Sequence, residues 1–364
     1  MRIVQLLATM AFGDAVSNDA AAIRKILEET GRETAIYASH VDPRLPKGYA
    51  QKWNLLGTLY DDDVLIYHGS TGDPLNLRIT SFGGRKILRY HNITPSGFFR
   101  GYSRKVERQT RIGRLEIRNL NGLFEHCIAD SDFNRQDLKQ MGFECPIDVC
   151  PILIPFEDYQ REPDKAVIER YSGDGWTNLL FVGRIAPNKK QEDIVRAFWD
   201  YRRNYNPKSR LFLVGNDAEM ELYRNRLDNY IEALGLTDAV IFPGHISFAE
   251  ILAYYRIADA FVCMSEHEGF CVPLVEAMLF HVPIVAYAAA AVPETMGKGG
   301  LLLDSKDPLT AAAAIDRVVR DQALREAIDK EQQKKLREYD KEQVKERFLE
   351  IIGGFPTASR APRE

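Results

Sequence analysis

One strand–turn–helix element constrains the fold of this chain more than any other stretch. Residues 260–263, Ala-Phe-Val-Cys, form the short apolar run of a buried strand. Glu268 and Gly269 then mark a sharp turn, because glycine tolerates backbone angles that other residues avoid. Pro273 suits the first turn of a helix that continues through Glu276. The sequence therefore predicts a buried strand that passes through a tight turn into a helix.

This turn has the properties of a binding site for a phosphorylated sugar. The N–H groups of a first helical turn lack intrahelical partners, and together with the helix dipole they attract anions. Glu268 and Glu276 flank the turn, and carboxylates accept hydrogen bonds from hydroxyl groups rather than from phosphate. Phosphate on the backbone and hydroxyls on the glutamates indicate a sugar nucleotide. The alternative is a solvated loop before an ordinary helix.

Short apolar runs alternate with helical segments through the rest of the chain. This alternation predicts parallel α/β sheets, whose ligands bind at the carboxyl ends of the strands. Strands are predicted in the first half at residues 2–7, 34–37, 64–67, 85–90 and 126–129, and in the second half at residues 178–183, 210–214 and 239–242.

Two strand ends in the first half carry candidate site residues. Gly13 and Asp14 follow the first strand, and His91 follows the strand at 85–90. Ser17 or Asn18 is expected to cap the next helix. For His91 the alternative is a structural histidine that closes the strand.

Cations follow the first strand of the second half. Arg184, Lys189 and Lys190 lie directly after the run at 178–183. Arginine offers a planar fork for phosphate oxygens, and lysine offers a mobile point charge. We therefore expect this loop to bind phosphate, although a surface loop with ordinary cations would look similar.

Composition excludes several other classes of protein. A formal net charge of −4 argues against a general nucleic-acid binder. The chain has no apolar run near the roughly 20 residues of a membrane span, and its start is too short for a signal-peptide core. The five cysteines show no metal-ligand spacing and fit reduced thiols. We expect a cytoplasmic protein that has no nucleic-acid partner and no metal.

A basic stripe is predicted on a helix near the middle of the first half. At 3.6 residues per turn its arginines share one face within an arc of roughly 120°. Such a face attracts anionic lipid headgroups or a lipid-diphosphate acceptor, although many basic helix faces are merely solvated. The stripe consists of Arg100, Arg104, Arg108, Arg111, Arg114 and Arg118.

A proline-rich segment at 145–164 is expected to connect two domains. We predict a first domain at residues 1–155 and a second domain at residues 156–339. The charged, periodic segment after residue 325 predicts one or two terminal helices.

At this point the sequence resembles a known family. The run E-G-F-C-V-P-L-V-E-A-M around Glu268 and Glu276, continuing through residues 283–286 and 292–294, is similar to the signature of retaining GT-B glycosyltransferases of the family-4 type, also called group 1. Arg184 and Lys189 match the spacing of the family's G-R-x4-K-G element, and Lys190 stands where glycine is usual. The resemblance implies two facing Rossmann-like domains with a cleft between them, and a final helix, at about 340–355, that crosses back to the first domain.

The resemblance also assigns roles to residues. His91 would lie beside the donor sugar and act through its ring or its backbone. Arg184 and either Lys189 or Lys190 would hold the donor diphosphate, Glu268 the sugar hydroxyls, and Glu276 the ribose. The expected catalytic residues are His91, Arg184, Lys189 and Glu268, and the expected donor-binding residues are Gly13, Asp14, Gly183, Arg184, Lys189, Lys190, Gly215, His245, Glu268, Gly269, Phe270, Cys271, Val272 and Glu276.

The resemblance implies transfer of a sugar from a nucleotide-diphosphate donor to a hydroxyl of a glycan or lipid-linked acceptor, with retained configuration and without a metal or other cofactor. Assembly of bacterial surface polysaccharide or glycolipid, of a mannosyl type, is the expected setting, at the inner face of the membrane if the basic stripe binds lipid. Two alternatives are a nucleotide-sugar epimerase on the same scaffold and a non-catalytic partner that binds nucleotide sugar.

Overall fold

The computed structural model describes residues 2–244 and 246–354. Within these residues the chain divides into two compact units. Of the described residues, 2–95, 108–155 and 339–354 belong to the first unit, and 96–107, 156–244 and 246–338 belong to the second. The short segment Ser96–Glu107, which the sequence analysis assigned to the first domain, therefore packs with the second unit.

A parallel sheet with strand order β3-β2-β1-β4-β5-β6-β7 forms the centre of the first unit. Its strands and helices confirm the alternation predicted from the sequence. The strands are β1 (Arg2–Met10), β2 (Glu33–Val41), β3 (Gln51–Lys52), β4 (Val64–Gly69), β5 (Arg85–Tyr90), β6 (His126–Ala129) and β7 (Ile147–Val149), and the helices between them are α1 (Ala15–Glu29), α2 (Leu75–Arg78), α3 (Arg104–Asn119) and α4 (Asp132–Gln140).

The second unit has its own parallel sheet, with strand order β10-β9-β8-β11-β12-β13. Its strands are β8 (Thr177–Val182), β9 (Ser209–Val214), β10 (Val240–Gly244), β11 (Ala260–Cys263), β12 (Ile284–Tyr287) and β13 (Gly300–Leu303). Its helices are α5 (Lys165–Tyr171), α6 (Gln191–Asn204), α7 (Glu221–Ala233), α8 (Phe248–Ile257), α9 (Val272–Leu279), α10 (Val292–Met296), α11 (Pro308–Arg320) and α12 (Gln322–Glu338).

The last helix, α13 (Lys341–Gly353), packs with the first unit. Val344, Phe348, Ile351 and Ile352 are buried in one apolar cluster with residues of β1, α1, β4, β5 and β6. Burial of four apolar side chains stabilises this helix against the first unit, on the order of 1.5–3 kcal/mol for each. The expectation that the final helix returns to the first domain is confirmed.

The helix that carries the basic stripe differs from the sequence prediction. It begins at Arg104, so Arg100 lies before it. Arg114 also leaves the stripe, because its guanidinium bonds to both oxygens of Asp137 at 3.0 and 2.7 Å and to the Ile93 carbonyl at 2.9 Å. Arg104, Arg108, Arg111 and Arg118 remain exposed. No helix among the described residues is both long and apolar enough to cross a lipid bilayer.

Candidate active site

The loop between β8 and α6 is fastened to the loop between β11 and α9 through one buried asparagine. The Asn188 side chain donates from Nδ2 to the His267 carbonyl at 3.1 Å. The Asn188 carbonyl accepts from the Glu266 main-chain N–H at 2.9 Å. Because both hydrogen bonds join the same two loops, Asn188 fixes the spacing of the side chains that flank it. Sequence reasoning did not select this residue, since an asparagine in a loop has no distinctive spacing.

Lys189 and Glu268, from these two loops, form an ion pair. Lys189 Nζ lies 2.7 Å from Glu268 Oε1 and 2.6 Å from Glu268 Oε2. The Lys189 side chain is 21% exposed and that of Glu268 is 7% exposed. Burial disfavours the charged ammonium, but the attraction of the Glu268 carboxylate outweighs it and raises the pKa of Lys189. The structure thus brings together two residues that the sequence placed 79 positions apart.

Lys190 and Arg184 point to other partners. Lys190 Nζ lies 3.5 Å from Glu266 Oε2 and 3.9 Å from Glu192 Oε1. Arg184 Nη2 donates to the Ala218 carbonyl at 2.9 Å. Lys190 also has a left-handed backbone, with φ 54° and ψ 48°, at the start of α6. Glycine adopts that conformation without steric cost, which explains in physical terms why the family pattern has glycine there.

The turn that leads into α9 contains a left-handed residue at Cys271. Its φ of 76° and ψ of 64° are the unusual backbone angles that the sequence analysis expected at Gly269. Pro273 occupies the first turn of α9 as predicted. The Phe270 carbonyl accepts a hydrogen bond from the Thr295 hydroxyl, which anchors the turn to α10. The first turn of α9, beginning at Val272, therefore presents the N–H groups that a helix cannot satisfy internally.

Glu276 lies on α9 and is bonded to two tyrosines. Tyr159 donates from its hydroxyl to Oε1 at 2.8 Å, and Tyr255 donates to Oε2 at 2.6 Å. Burial raises the pKa of Glu276, while both tyrosine hydrogen bonds act to lower it. Sequence reasoning drew no site residue from the linker, and Tyr159 lies there, between Phe248 and Phe280, with ring centroids 5.3 and 6.4 Å away.

Gly183 and Gly215 have a structural reason for being glycine. A Cβ added to Gly215 would lie 2.0 Å from the Gly183 carbonyl oxygen, so the ends of β8 and β9 approach each other closely only without a side chain there. The predicted donor-binding role of these two glycines rests on their place at the strand ends. His245, the other candidate near β10, lies outside the described residues.

In the loop after β1, the residue that caps the next helix differs from the sequence prediction. Asp14, rather than Ser17 or Asn18, is the N-cap of α1, and its Oδ2 accepts from the Ser17 N–H and hydroxyl at 2.9 Å each. An N-cap of this kind stabilises a helix by about 1 kcal/mol. Gly13 precedes it with φ 74° and is exposed. The donor-binding role expected of Asp14 therefore competes with its role as a cap.

His91 follows β5 and its ring is fully engaged. Nδ1 lies 2.8 Å from Asp130 Oδ2, and Nε2 lies 2.8 Å from Nδ1 of His68. The side chain is only 2% exposed although the residue as a whole is half-buried, so its exposed part is the main chain. Of the two modes of action that the resemblance allowed, this geometry favours the backbone.

Two groups of residues among those described have the donor atoms that a metal ion needs, and each already holds a cationic side chain. Asp19, His68 and His91 form one group, and Cys263, Glu268 and Cys271 form the other. The guanidinium of Arg89 is paired with Asp19 in the first group, and the ammonium of Lys189 is paired with Glu268 in the second. A metal ion would have to displace a guanidinium or an ammonium, so these donor sets do not fit a resident cation as they stand.

Comparison with known proteins identifies the class. Residues 172–335 match the family model of glycosyl transferases group 1, which covers most of the second unit. The second unit thus matches the group 1 glycosyltransferases, and the two parallel-sheet units have the GT-B fold. The resemblance drawn from the E-G-F-C-V-P-L-V-E-A-M run is confirmed.

The chain is also similar to individual proteins of known name. The chain is 28% identical over 280 residues to O-antigen chain mannosyltransferase B of Escherichia coli, a match that covers 74% of this chain and 68% of the relative. It is 28% identical over 162 residues to a GDP-mannose-dependent phosphatidylinositol monomannoside mannosyltransferase of Mycolicibacterium smegmatis, covering 42% of this chain and 41% of the relative. HepE of Anabaena, solved with UDP and glucose, has the same fold, with a TM-score of 0.76 at 16% identity over 98% of this chain and 100% of HepE.

Proposed function

We propose that the chain transfers a hexosyl group, in the first instance mannosyl, from a nucleotide-diphosphate sugar to a hydroxyl of a glycan or lipid-linked acceptor, with retained anomeric configuration. The observation that carries the proposal is the Lys189–Glu268 pair beside the start of α9, with Glu276 on the same helix. One cation, one helix N-terminus and two carboxylates match the charges and hydroxyls of such a donor. The names of the two mannosyltransferase relatives support the choice of sugar.

The Lys189–Glu268 pair has bonding capacity left for a donor. An ammonium has three protons, and Lys189 directs two contacts to Glu268. A carboxylate accepts about four hydrogen bonds, so Glu268 can bind sugar hydroxyls without releasing Lys189. Lys189, with the N–H groups of the first turn of α9, would stabilise the charge that develops on the leaving diphosphate. Arg184 would add a second cation after leaving the Ala218 carbonyl.

Glu276 would bind the ribose through lone pairs that the tyrosines leave available, or in exchange for Tyr159. The exposed main chain at His91 would lie beside the anomeric carbon and orient the sugar. The leaving phosphate would take the acceptor proton on the same face, so that no dedicated base and no metal are required. The main-chain part of the diphosphate site would consist of Gly269, Phe270, Cys271 and Val272.

The donor is tested by thermal shift with UDP-, GDP- and dTDP-sugars. A ligand that binds only the folded state raises the melting temperature, by an amount that grows with its affinity. We expect GDP-mannose to give the largest shift in the native chain and a smaller one in Glu276→Gln. Equal shifts for every nucleotide, or an unchanged shift in Glu276→Gln, would contradict the assignment.

The reaction is tested by incubating the chain with the donor selected above and a panel of glycan and lipid-linked acceptors. Retention predicts that the new bond has the donor's anomeric configuration, read by proton NMR. An epimerase would instead convert the donor sugar with no acceptor present. A non-catalytic partner would bind nucleotide sugar and release no nucleotide.

Membrane contact is proposed through the exposed face of α3 in the first unit. Arg108, Arg111 and Arg118 lie on the same face of the helix as Leu115, which is 50% exposed. Cations around an exposed apolar side chain suit an anionic lipid surface. We expect co-sedimentation with vesicles that contain anionic lipid and none with zwitterionic vesicles. Binding should fall in Arg108→Gln/Arg111→Gln, and indifference to the lipid charge would remove the idea.

A further inference from the structure

A chain of hydrogen bonds runs through the interior of the first unit and ends at His91. Gln5 Nε2 donates to the Ala20 carbonyl at 2.9 Å, which fixes the orientation of the amide. Gln5 Oε1 lies 3.0 Å from His68 Nε2, and His68 Nδ1 lies 2.8 Å from His91 Nε2. His91 Nδ1 completes the chain at Asp130 Oδ2, 2.8 Å away. His68 is completely buried, and the sequence analysis did not select it as a candidate site residue.

These contacts determine how many protons the chain holds. Gln5 Oε1 can only accept, so His68 Nε2 carries a proton. The contact between His68 Nδ1 and His91 Nε2 needs one proton between two nitrogens. The contact between His91 and Asp130 needs another. Three protons exceed by one the number that two neutral imidazoles and a carboxylate carry, so this group holds one extra proton.

The surroundings balance that extra charge. Arg89 bonds to both oxygens of Asp19 at 2.9 and 3.2 Å, and its Nη2 lies 3.2 Å from Asp130 Oδ1. Asp19 Oδ2 lies 3.9 Å from His91 Nε2. Two carboxylates, one guanidinium and one shared imidazolium proton sum to zero. Burial, together with the nearby charge of His91, lowers the pKa of His68 well below its ordinary value, which places the proton on His91.

The main chain next to His91 has unusual backbone angles. Asn92 has φ 71° and is buried, and its Nδ2 donates to Asn134 Oδ1 at 2.8 Å. Asn134 Nδ2 in turn donates to the Tyr90 carbonyl at 3.3 Å, which fixes both amides. Asn92 Oδ1 is buried and has no hydrogen-bond partner among the described residues. Next to His91 the structure therefore combines a left-handed residue with a buried acceptor that lacks a partner among the described residues.

We propose that His68 is a positioning residue: the proton it shares with His91 locks the His91 ring, and with it the exposed main chain at residues 91–92, in the geometry that receives the donor sugar. The proposal rests on the proposed function, because it assumes that this main chain lies beside the anomeric carbon. His68 itself is buried and does not touch the substrate. Its effect falls on the reacting centre, where small displacements lower turnover more than they weaken donor binding.

Two substitutions separate hydrogen bonding from packing. His68→Gln can accept from His91 through Oε1 and donate to Gln5 through Nε2, so it restores the pattern of the native imidazole. His68→Leu fills similar volume but leaves His91 Nε2 and Gln5 Oε1 unpaired. We expect His68→Leu to lower kcat by roughly tenfold to a hundredfold with the donor KM within about threefold, and His68→Gln to keep kcat within about threefold. Equal kcat in His68→Leu and the native chain, or an equal loss in both variants, would overturn the proposal.

The proton itself is tested by nitrogen-detected NMR of the imidazole rings, which needs no substrate. We expect the His91 ring to carry protons on both nitrogens in the native protein and on only one nitrogen in His68→Leu, where it is the one ring of the pair that remains. Two neutral rings in the native protein would disprove the shared proton. If the native chain proved not to be a transferase, the NMR result would still decide whether the proton is shared.

Discussion

Both units bury a cluster of charges, and the two clusters are completed in different ways. In the first unit Arg89 is surrounded by protein groups, since it also donates to the carbonyls of Cys150 at 2.6 Å and Pro151 at 3.0 Å. Its side chain is 1% exposed. In the second unit Lys189 has Glu268 as its partner and keeps 21% of its side chain exposed. The first cluster is closed by the protein, and the second is left open on one side.

The difference indicates that the first cluster stabilises the fold and that the second can bind a ligand. A buried charge that is satisfied on every side contributes to folding chiefly because removing one partner leaves the others uncompensated. A charge pair with spare protons and lone pairs near the surface can accept a ligand without a large rearrangement. We therefore expect changes at Arg89 to act on stability and changes at Lys189 to act on turnover.

The largest effect is expected from Arg89→Met. Losing the guanidinium leaves two buried carboxylates, Asp19 and Asp130, beside the single charge of His91, which should cost about 3–5 kcal/mol of unfolding free energy. Arg85→Met is the matched control, because Arg85 lies on the same strand and its bridge to Glu125 at 2.8 Å is partly exposed. That change should cost no more than about 1 kcal/mol. Urea unfolding measures both, and similar costs would remove the contrast between closed and exposed pairs.

Lys189→Gln should lower turnover by about 10²–10³-fold, because a positioned charge that stabilises the leaving group is lost. Its melting temperature should fall less than that of Arg89→Met, since glutamine still offers Glu268 a hydrogen bond. Lys190→Gln is the control and should stay within about threefold of the native rate, because Lys190 contacts Glu266 and Glu192. Nucleotide release at saturating donor measures the turnover of the native chain and of the two lysine variants. A larger loss of turnover in Lys190→Gln than in Lys189→Gln would exchange the roles assigned to the two lysines.

The comparison of the two clusters also shows which site residues could be predicted from the sequence. Lys189, Glu268 and Glu276 could be selected from the sequence because they lie in short motifs at a strand end or a helix start, but the sequence left the choice between Lys189 and Lys190 open. The closed cluster was not predictable, because His68, Asp130 and Asp19 lie on separate elements and meet only after the sheet has formed. His91 was selected for its place after β5, but the engagement of its ring depends on contacts 23 and 39 residues away.

The two parallel sheets followed from the alternation of apolar runs, since hydrophobic periodicity records burial directly. Local detail did not follow. The positive φ belongs to Cys271, and Asp14 rather than Ser17 caps α1, because several residues in each stretch have suitable side chains and tertiary packing selects one. Tyr159 left no sequence signal, since its hydrogen bond to Glu276 spans 117 residues.

Tyr255→Phe tests how much the hydroxyl of Tyr255 stabilises the ionised carboxylate of Glu276 in the folded protein. Burial raises the pKa of Glu276 above its ordinary value of 4.5, so its contribution to stability is fully present below that value and is lost as pH rises through the folded value. The Tyr255 hydroxyl opposes this loss by favouring the carboxylate. Removing the hydroxyl should cost about 1.5–3 kcal/mol near pH 8 and clearly less near pH 5. Urea unfolding at both pH values measures this, and in a Glu276→Gln background the cost should not depend on pH.

The smallest effect concerns Lys190, whose left-handed backbone lies at the edge of the open cluster. Lys190→Gly and Lys190→Ala remove the same ion pairs, but only glycine relieves the clash of Cβ with the backbone that φ 54° imposes. We expect the glycine variant to be more stable than the alanine variant by about 1 kcal/mol, despite the greater entropy of glycine in the unfolded chain. If alanine were as stable as glycine, this turn would not need a left-handed residue. Lysine would then be retained for its charge, and the division between Lys189 as the binding cation and Lys190 as a turn residue would fail.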